Sequence, residues 1–259
     1  MDSSFFLPPE IGPWAALFLL FCAFLASGIT TAFSIGGGLL LLAVMSTMLP
    51  VTAVIPVHGM MMLGSNASRL VVLRRYLDGQ TLFWFTFGAF FGAVLGAQIV
   101  TTLPATLLRL TIASFILFTV WGPKISLPTG QKSMVVAGGL SAFITLFVGA
   151  SGPFITTLLS KVPHYSRMNL ISTTAACMTV QHGAKVIVFG TAGFLFAPWA
   201  PFLILSLGAS FLGTALGAKI LKRLDEQFFR QALKWVLTAL AVYLMGLALL
   251  SILSGSVEF

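Results

Sequence analysis

Two histidines, an arginine, a lysine and a pair of glycine-rich breaks are the features of this chain whose types and spacing could do chemistry. His58 and His182 lie in apolar stretches and are the groups there whose charge can change near neutral pH, so any protonation-linked step would use them or the substrate itself. Arg69 and Lys185 also lie in apolar segments, where charged side chains usually face a pathway. The competing reading for each is a long basic side chain snorkelling to the headgroups. The breaks read Thr31-Ala-Phe-Ser-Ile-Gly-Gly-Gly-Leu39 and Thr145-Leu-Phe-Val-Gly-Ala-Ser-Gly-Pro153. Backbone at membrane depth leaves helical geometry only where protein or a watered cavity satisfies its amides, so both breaks should line an interior space. Half-helices beginning near Gly37 and Gly38, and near Ser151 and Gly152, would offer unpaired N–H groups and positive dipole ends suited to a sulfonate or carboxylate.

The acids argue by their positions. Asp2, Glu10, Asp78, Asp225, Glu226 and Glu258 all fall in expected loops or termini, so no carboxylate stands at depth to ligate a cation or relay a proton. No metal or cofactor is expected. The substrate should be a small anion, cradled by Ser34, Gly36, Gly37, Gly38, Asn66, Ala150, Ser151, Gly152, Gln181 and His182, with Arg69 and Lys185 along its pathway. Ser65, Gln98, Thr145 and Thr174 complete the polar set at depth. The Met60-Met61-Met62 run reads as packing, and Cys22 and Cys177 as small buried hydrophobes. Two other readings stay open. Gly149-Ala150-Ser151-Gly152 matches the Gly-x-Ser-Gly of intramembrane serine proteases, which would pair Ser151 with His182. A passive anion channel would use the same basic residues.

The elements that must position these residues are membrane helices. Apolar residues make up 58% of the 259 and charged residues only 8%, with a mean hydropathy of +1.04. Such a composition implies an all-α polytopic membrane protein of about 8 to 10 segments rather than a soluble domain or a β-barrel. Its partners are then the lipid bilayer and the anion, without nucleic acid, and glycine faces toward lipid are compatible with a homodimer. The start of the chain lacks the basic region of a cleaved signal peptide.

Five segments are expected in each half: Trp14 to Phe33, Gly38 to Leu49, Thr52 to Arg75, Gln80 to Thr101 and Pro104 to Trp121, then Ser133 to Val148, Gly152 to Lys161, Arg167 to Phe189, Ala197 to Ile220 and Gln227 to Leu253. The halves, 1–121 and 133–259 around a linker at 122–132, align in order. Asn66-Ala-Ser-Arg69 answers His182-Gly-Ala-Lys185, Gly92 to Gln98 answers Gly213 to Lys219, and Leu107-Leu-Arg109 answers Phe228-Phe-Arg230. The basic loop follows the third segment in the first half (Arg74, Arg75) and precedes it in the second (Lys161, His164, Arg167). Lys and Arg collect on the cytoplasmic side, so the repeats should be inverted, with the linker inside and both termini outside the plasma (inner) membrane.

The Gly36-Gly37-Gly38 break, its partner at Gly149 to Pro153 and the Gly-x-x-x-Gly-Ala elements at Gly92 and Gly213 together resemble the TauE/SafE permease family. The resemblance covers nearly the whole chain. It implies a non-enzymatic exporter of sulfite or organosulfonates such as sulfoacetate; the paired breaks in inverted repeats themselves suggest alternating access. One departure is that Ala43 stands near a place where members tend to carry proline.

Overall fold

A computed structural model describes residues 7–8, 10–33, 36–100, 105–123, 128–220 and 226–253. Ten α-helices account for nearly all of them: α1 (Pro13–Phe33), α2 (Gly37–Met48), α3 (Val51–Leu73), α4 (Gly79–Val100), α5 (Ala105–Trp121), α6 (Gln131–Val148), α7 (Gly152–Leu159), α8 (Arg167–Thr191), α9 (Ala200–Ile220) and α10 (Glu226–Leu253). No strand occurs among the described residues. The expected segments are all present within a few residues at either end. Where they differ, the cause is local: α7 stops at Leu159 in a tight turn before Pro163, and Pro198 opens α9 with a short 3-10 turn, Ala197–Trp199.

Five stretches are long and apolar enough to cross a membrane: Pro13–Phe33, Gly79–Ile99, Gln131–Val148, Ala197–Leu216 and Gln231–Leu253. α3 and α8 are longer than several of these but less apolar, because they pack on each other at the centre and bury Ser65, Asn66, Arg69, Gln181, His182 and Lys185. A helix surrounded by protein need not present an apolar face to lipid. The polar residues on these two helices therefore mark interior rather than loop.

The principal helix pairings are α4 with α6, α1 with α9, α3 with α8 and α5 with α10. Exchanging the two halves turns the first pair into the second and maps each of the others onto itself. The glycines show how close the first two pairs lie. A Cβ on Gly92 of α4 would fall on the Gly139 carbonyl of α6, and one on Gly213 of α9 would fall on the Phe24 carbonyl of α1. Small residues here let backbones touch, the helix-contact role their spacing suggests. α3 and α8 run antiparallel, since Gly59 lies against Lys185 while Ser172 Oγ donates to the Leu73 carbonyl. α5 and α10 are antiparallel as well, with Trp121 Nε1 donating to Thr238 Oγ1 at one end and Thr106 against Ser251 at the other.

The loop after α3 and the loop before α8 meet at one end of the bundle. Asn169 Nδ2 donates to the Tyr76 carbonyl, the Asp78 amide donates to Thr173 Oγ1, and Tyr165 donates to Asp78 Oδ2 at 2.7 Å. Asp78 also caps α4 by accepting from the amides of Gln80 and Thr81 and from the Thr81 hydroxyl. Partial burial pulls the Asp78 pKa up, but the hydrogen bonds from Tyr165, Thr81 and Gln80 outweigh it and hold the carboxyl below its ordinary value. Burial, aided by the neighbouring Asp78 carboxylate, pushes the Tyr165 phenol up to about 12.

Candidate functional site

The two glycine breaks are resolved into two helix ends each, and the ends are treated differently. α6 ends at Gly149, whose φ of 81° is the left-handed cap that glycine adopts without strain. The Gly149 carbonyl accepts from Lys185 Nζ at 2.6 Å. Near the other break, the Ala32 carbonyl in the last turn of α1 accepts from Arg167 Nη2 at 2.8 Å. Each negative helix end thus carries a cation. The positive ends do not receive the opposite charge: neither Gly36, at φ 102° before α2, nor Ser151 before α7 makes a side-chain cap to the helix amides. Among the described residues no side chain caps the first turn of either helix; in α7, Pro153 has no N–H and the Phe154 and Ile155 amides donate to the Ser151 carbonyl, which leaves the Gly152 amide for an anion.

These two N-termini line one small, partly open cavity of about 60 Å³, room for a few waters or a small anion. Gly36, Gly38 and Leu39 come from the first break, and Ala150, Ser151, Gly152 and Pro153 from the second. α3 adds His58, Met62, Ser65, Asn66 and Arg69, while α8 adds Ile171, Thr174, Met178 and His182. Thr30 and Thr156 complete the wall. No Asp or Glu lines it among the described residues.

The polar side chains are locked by their neighbours and left with unused capacity toward the space. Asn66 Nδ2 donates to the Met62 carbonyl at 2.8 Å, which turns Oδ1 toward Arg69 Nη1 at 3.0 Å. Arg69 is 5% exposed and its Nε has no partner. Gln181 Nε2 donates to both the Ser141 carbonyl and Ser151 Oγ. The Ser151 hydroxyl accepts that bond, so its own proton remains available. His58 Nδ1, His182 Nδ1 and Thr174 Oγ1 are buried without hydrogen-bond partners. A buried polar atom left unpaired is costly, so these atoms in one wall suit a polar occupant.

Of the residues expected at the site, Gly36, Gly38, Asn66, Ala150, Ser151, Gly152, His182, Arg69 and His58 share this wall. Gln181 stands one bond behind Ser151. Ser34 lies outside the described residues. Gly37 is turned to α1, where a Cβ would meet the Ala26 carbonyl, so its smallness serves packing. Lys185 is fully buried with its stem against Gly59 and does not line the cavity; its ammonium fixes the end of α6. Gln98 is exposed on the outer face of α4. The Ser151–His182 bond that the alternative protease reading requires is not made: the serine oxygen is held by Gln181, and His182 Nδ1 is unpartnered.

The structure also adds wall residues: Met62, which the sequence places in packing, and Met178, which it does not single out. The register that equates Asn66 with His182 equates these two methionines, and also His58 with Thr174. That offset was the signal that could have found them.

Comparison with known protein families finds a match to the sulfite exporter TauE/SafE family over residues 19–244. No curated protein and no solved structure matches the chain.

Proposed function

Because the chain belongs to the sulfite exporter TauE/SafE family, a family of membrane transporters, we propose that its cargo is a small sulfur oxyanion or organic sulfonate, such as sulfite or sulfoacetate, held between the two helix breaks. The observation that carries this reading is the asymmetry of the helix ends. Both C-terminal ends accept from cations of α8, Arg167 and Lys185, while among the described residues both N-terminal ends open uncapped onto one acid-free cavity beside Arg69. An oxyanion there would accept from first-turn amides of α2, from the Gly152 amide of α7, from Arg69 and from the Ser151 and Thr174 hydroxyls. Asn66 and Gln181 act through these groups, by orienting Arg69 and Ser151.

The repeats are inverted, and the cargo is exposed alternately to each side as one half rocks against the other. The antiparallel run of the equivalent helices α3 and α8, and of α5 and α10, supports that reading. So does the meeting of the two basic loops at one end of the bundle. That end faces the cytoplasm of a cell whose plasma membrane holds the protein, with both termini on the opposite side.

The test is thermal unfolding of the detergent-purified protein with sulfite, sulfoacetate, methanesulfonate, acetate or chloride. A ligand that binds only the folded state stabilises it by about 2.7 kcal/mol at a hundredfold excess over its Kd. Stabilisation is expected with the sulfur anions and lost in Arg69→Gln, where a charge-assisted bond of roughly 1.5–3 kcal/mol disappears. Equal response to chloride and to sulfonates would overturn the assignment of cargo.

A further inference from the structure

The wall of the cavity is matched to an anion except at its two histidines. His58 Nε2 donates to the Gly38 carbonyl at 2.9 Å, and a carbonyl can only accept, so the neutral ring is fixed with its proton on Nε2. Its Nδ1 is then a bare lone pair, buried and without a partner. His182 likewise has a buried, unpartnered Nδ1. Whichever of its nitrogens bears the proton, a neutral His182 also keeps one lone pair in the same wall. A lone pair facing an oxyanion repels it, whereas a protonated imidazole offers only donors and a positive charge.

The other ionisable groups hold a fixed charge or stand outside the wall. Arg69 is permanently charged, and Lys185, whose Nζ donates to the Gly149 carbonyl, does not line the cavity. α2, α4 and α7 carry no acid or base among their described side chains, and α1 carries only Cys22, in the apolar core. Lys132 of α6 is exposed at that helix's start, and Arg109 of α5 is not in the wall.

We propose that the His58–His182 pair binds one proton together with each anion, so that the transporter moves the two as a neutral pair. This rests on the cavity being the anion site. The proton leaves an O–H of solvent hydronium and bonds to a ring nitrogen, water being the by-product; no other bond forms or breaks. The count is one because the rings lie only 6.0 Å apart, edge to face, with Arg69 in the same wall and the Lys185 ammonium acting on both. A second imidazolium would meet three positive charges.

The experiment is calorimetric titration of the full-length protein with methanesulfonate, which stays ionised throughout and cannot bring a proton of its own. Binding enthalpy is measured in buffers of different ionisation enthalpy. The expected slope is about one proton taken up per anion, with affinity weakening toward tenfold per pH unit as the solution becomes alkaline. In His182→Asn, whose Nδ1 has no bond to lose, the slope should fall below one, and in the His58→Asn/His182→Asn double variant it should reach zero and the weakened affinity should no longer depend on pH. Wild-type binding with a buffer-independent enthalpy would overturn the coupling while leaving the anion site standing. A slope that survives in a folded double variant would overturn the assignment to these histidines. Folded wild-type protein that binds neither methanesulfonate nor sulfite would overturn the anion site, and the coupling with it.

Discussion

Alanine at Gly92 or Gly213 tests whether the two halves are built on the same frame. In each case the added methyl would fall on a backbone carbonyl oxygen across the interface, Gly139 of α6 or Phe24 of α1, well inside van der Waals contact. Backbone cannot rotate away as a side chain would, so the helices must part by more than an ångström. Overpacking of that kind costs roughly 1–3 kcal/mol. At Gly208 and Gly246 a methyl would meet nothing within 4 Å, and alanine there should gain up to about 1 kcal/mol of helix propensity. The two classes should therefore differ by roughly 1–4 kcal/mol, or about 2–15 °C in Tm for a chain of this size. The assay is the fraction of monodisperse protein surviving a temperature series in detergent. Gly92→Ala and Gly213→Ala as stable as Gly208→Ala would refute the close approach. Strongly unequal losses at the two sites would refute their equivalence.

Two further expectations follow from polar contacts. Asp78 has its carboxyl held below the ordinary value in the folded state, so its contribution is present above the unfolded pKa of about 3.9 and is lost as pH falls through the lower folded value. Asp78→Asn should lower Tm at neutral pH, and the deficit should close on acidification below about pH 4; a deficit independent of pH would contradict the carboxylate's role. Lys185→Met keeps the stem beside Gly59 but strips the cation from the end of α6. Amide exchange in the last turn of α6 and the first of α7 should rise at least tenfold, about 1.4 kcal/mol of local opening, with the α4–α6 contact unchanged. Uniform loosening of the whole protein would count against a local clamp.

Much of the frame is legible in the chain because the bilayer restricts the choices. Apolar runs of fixed length, punctuated by Gly, Pro and charge, locate α1 to α10 within a few residues, and the paired glycine breaks point to the cavity before any helix is placed. The roles of individual residues are less legible. Lys185 reads from sequence as a pathway cation, but capping the end of another helix depends on how α6 and α8 pack, which no local pattern encodes. Gly37 looks like a ligand contact beside Gly36 and Gly38, yet helix periodicity turns it toward α1. Met62 was read within a run of three methionines as packing, and only alignment of the halves in register with Met178 brings it to the wall.

The central claim is that cargo passes through the cavity between the two breaks, and flux of radiolabelled sulfite into proteoliposomes tests it most directly. Wild-type protein should carry sulfite faster than empty vesicles, with competition from sulfoacetate and methanesulfonate. Thr174→Phe, which would fill the space its unpartnered hydroxyl now faces, should abolish flux in protein that remains monodisperse. Undiminished flux in that variant would place the route elsewhere and contradict the account.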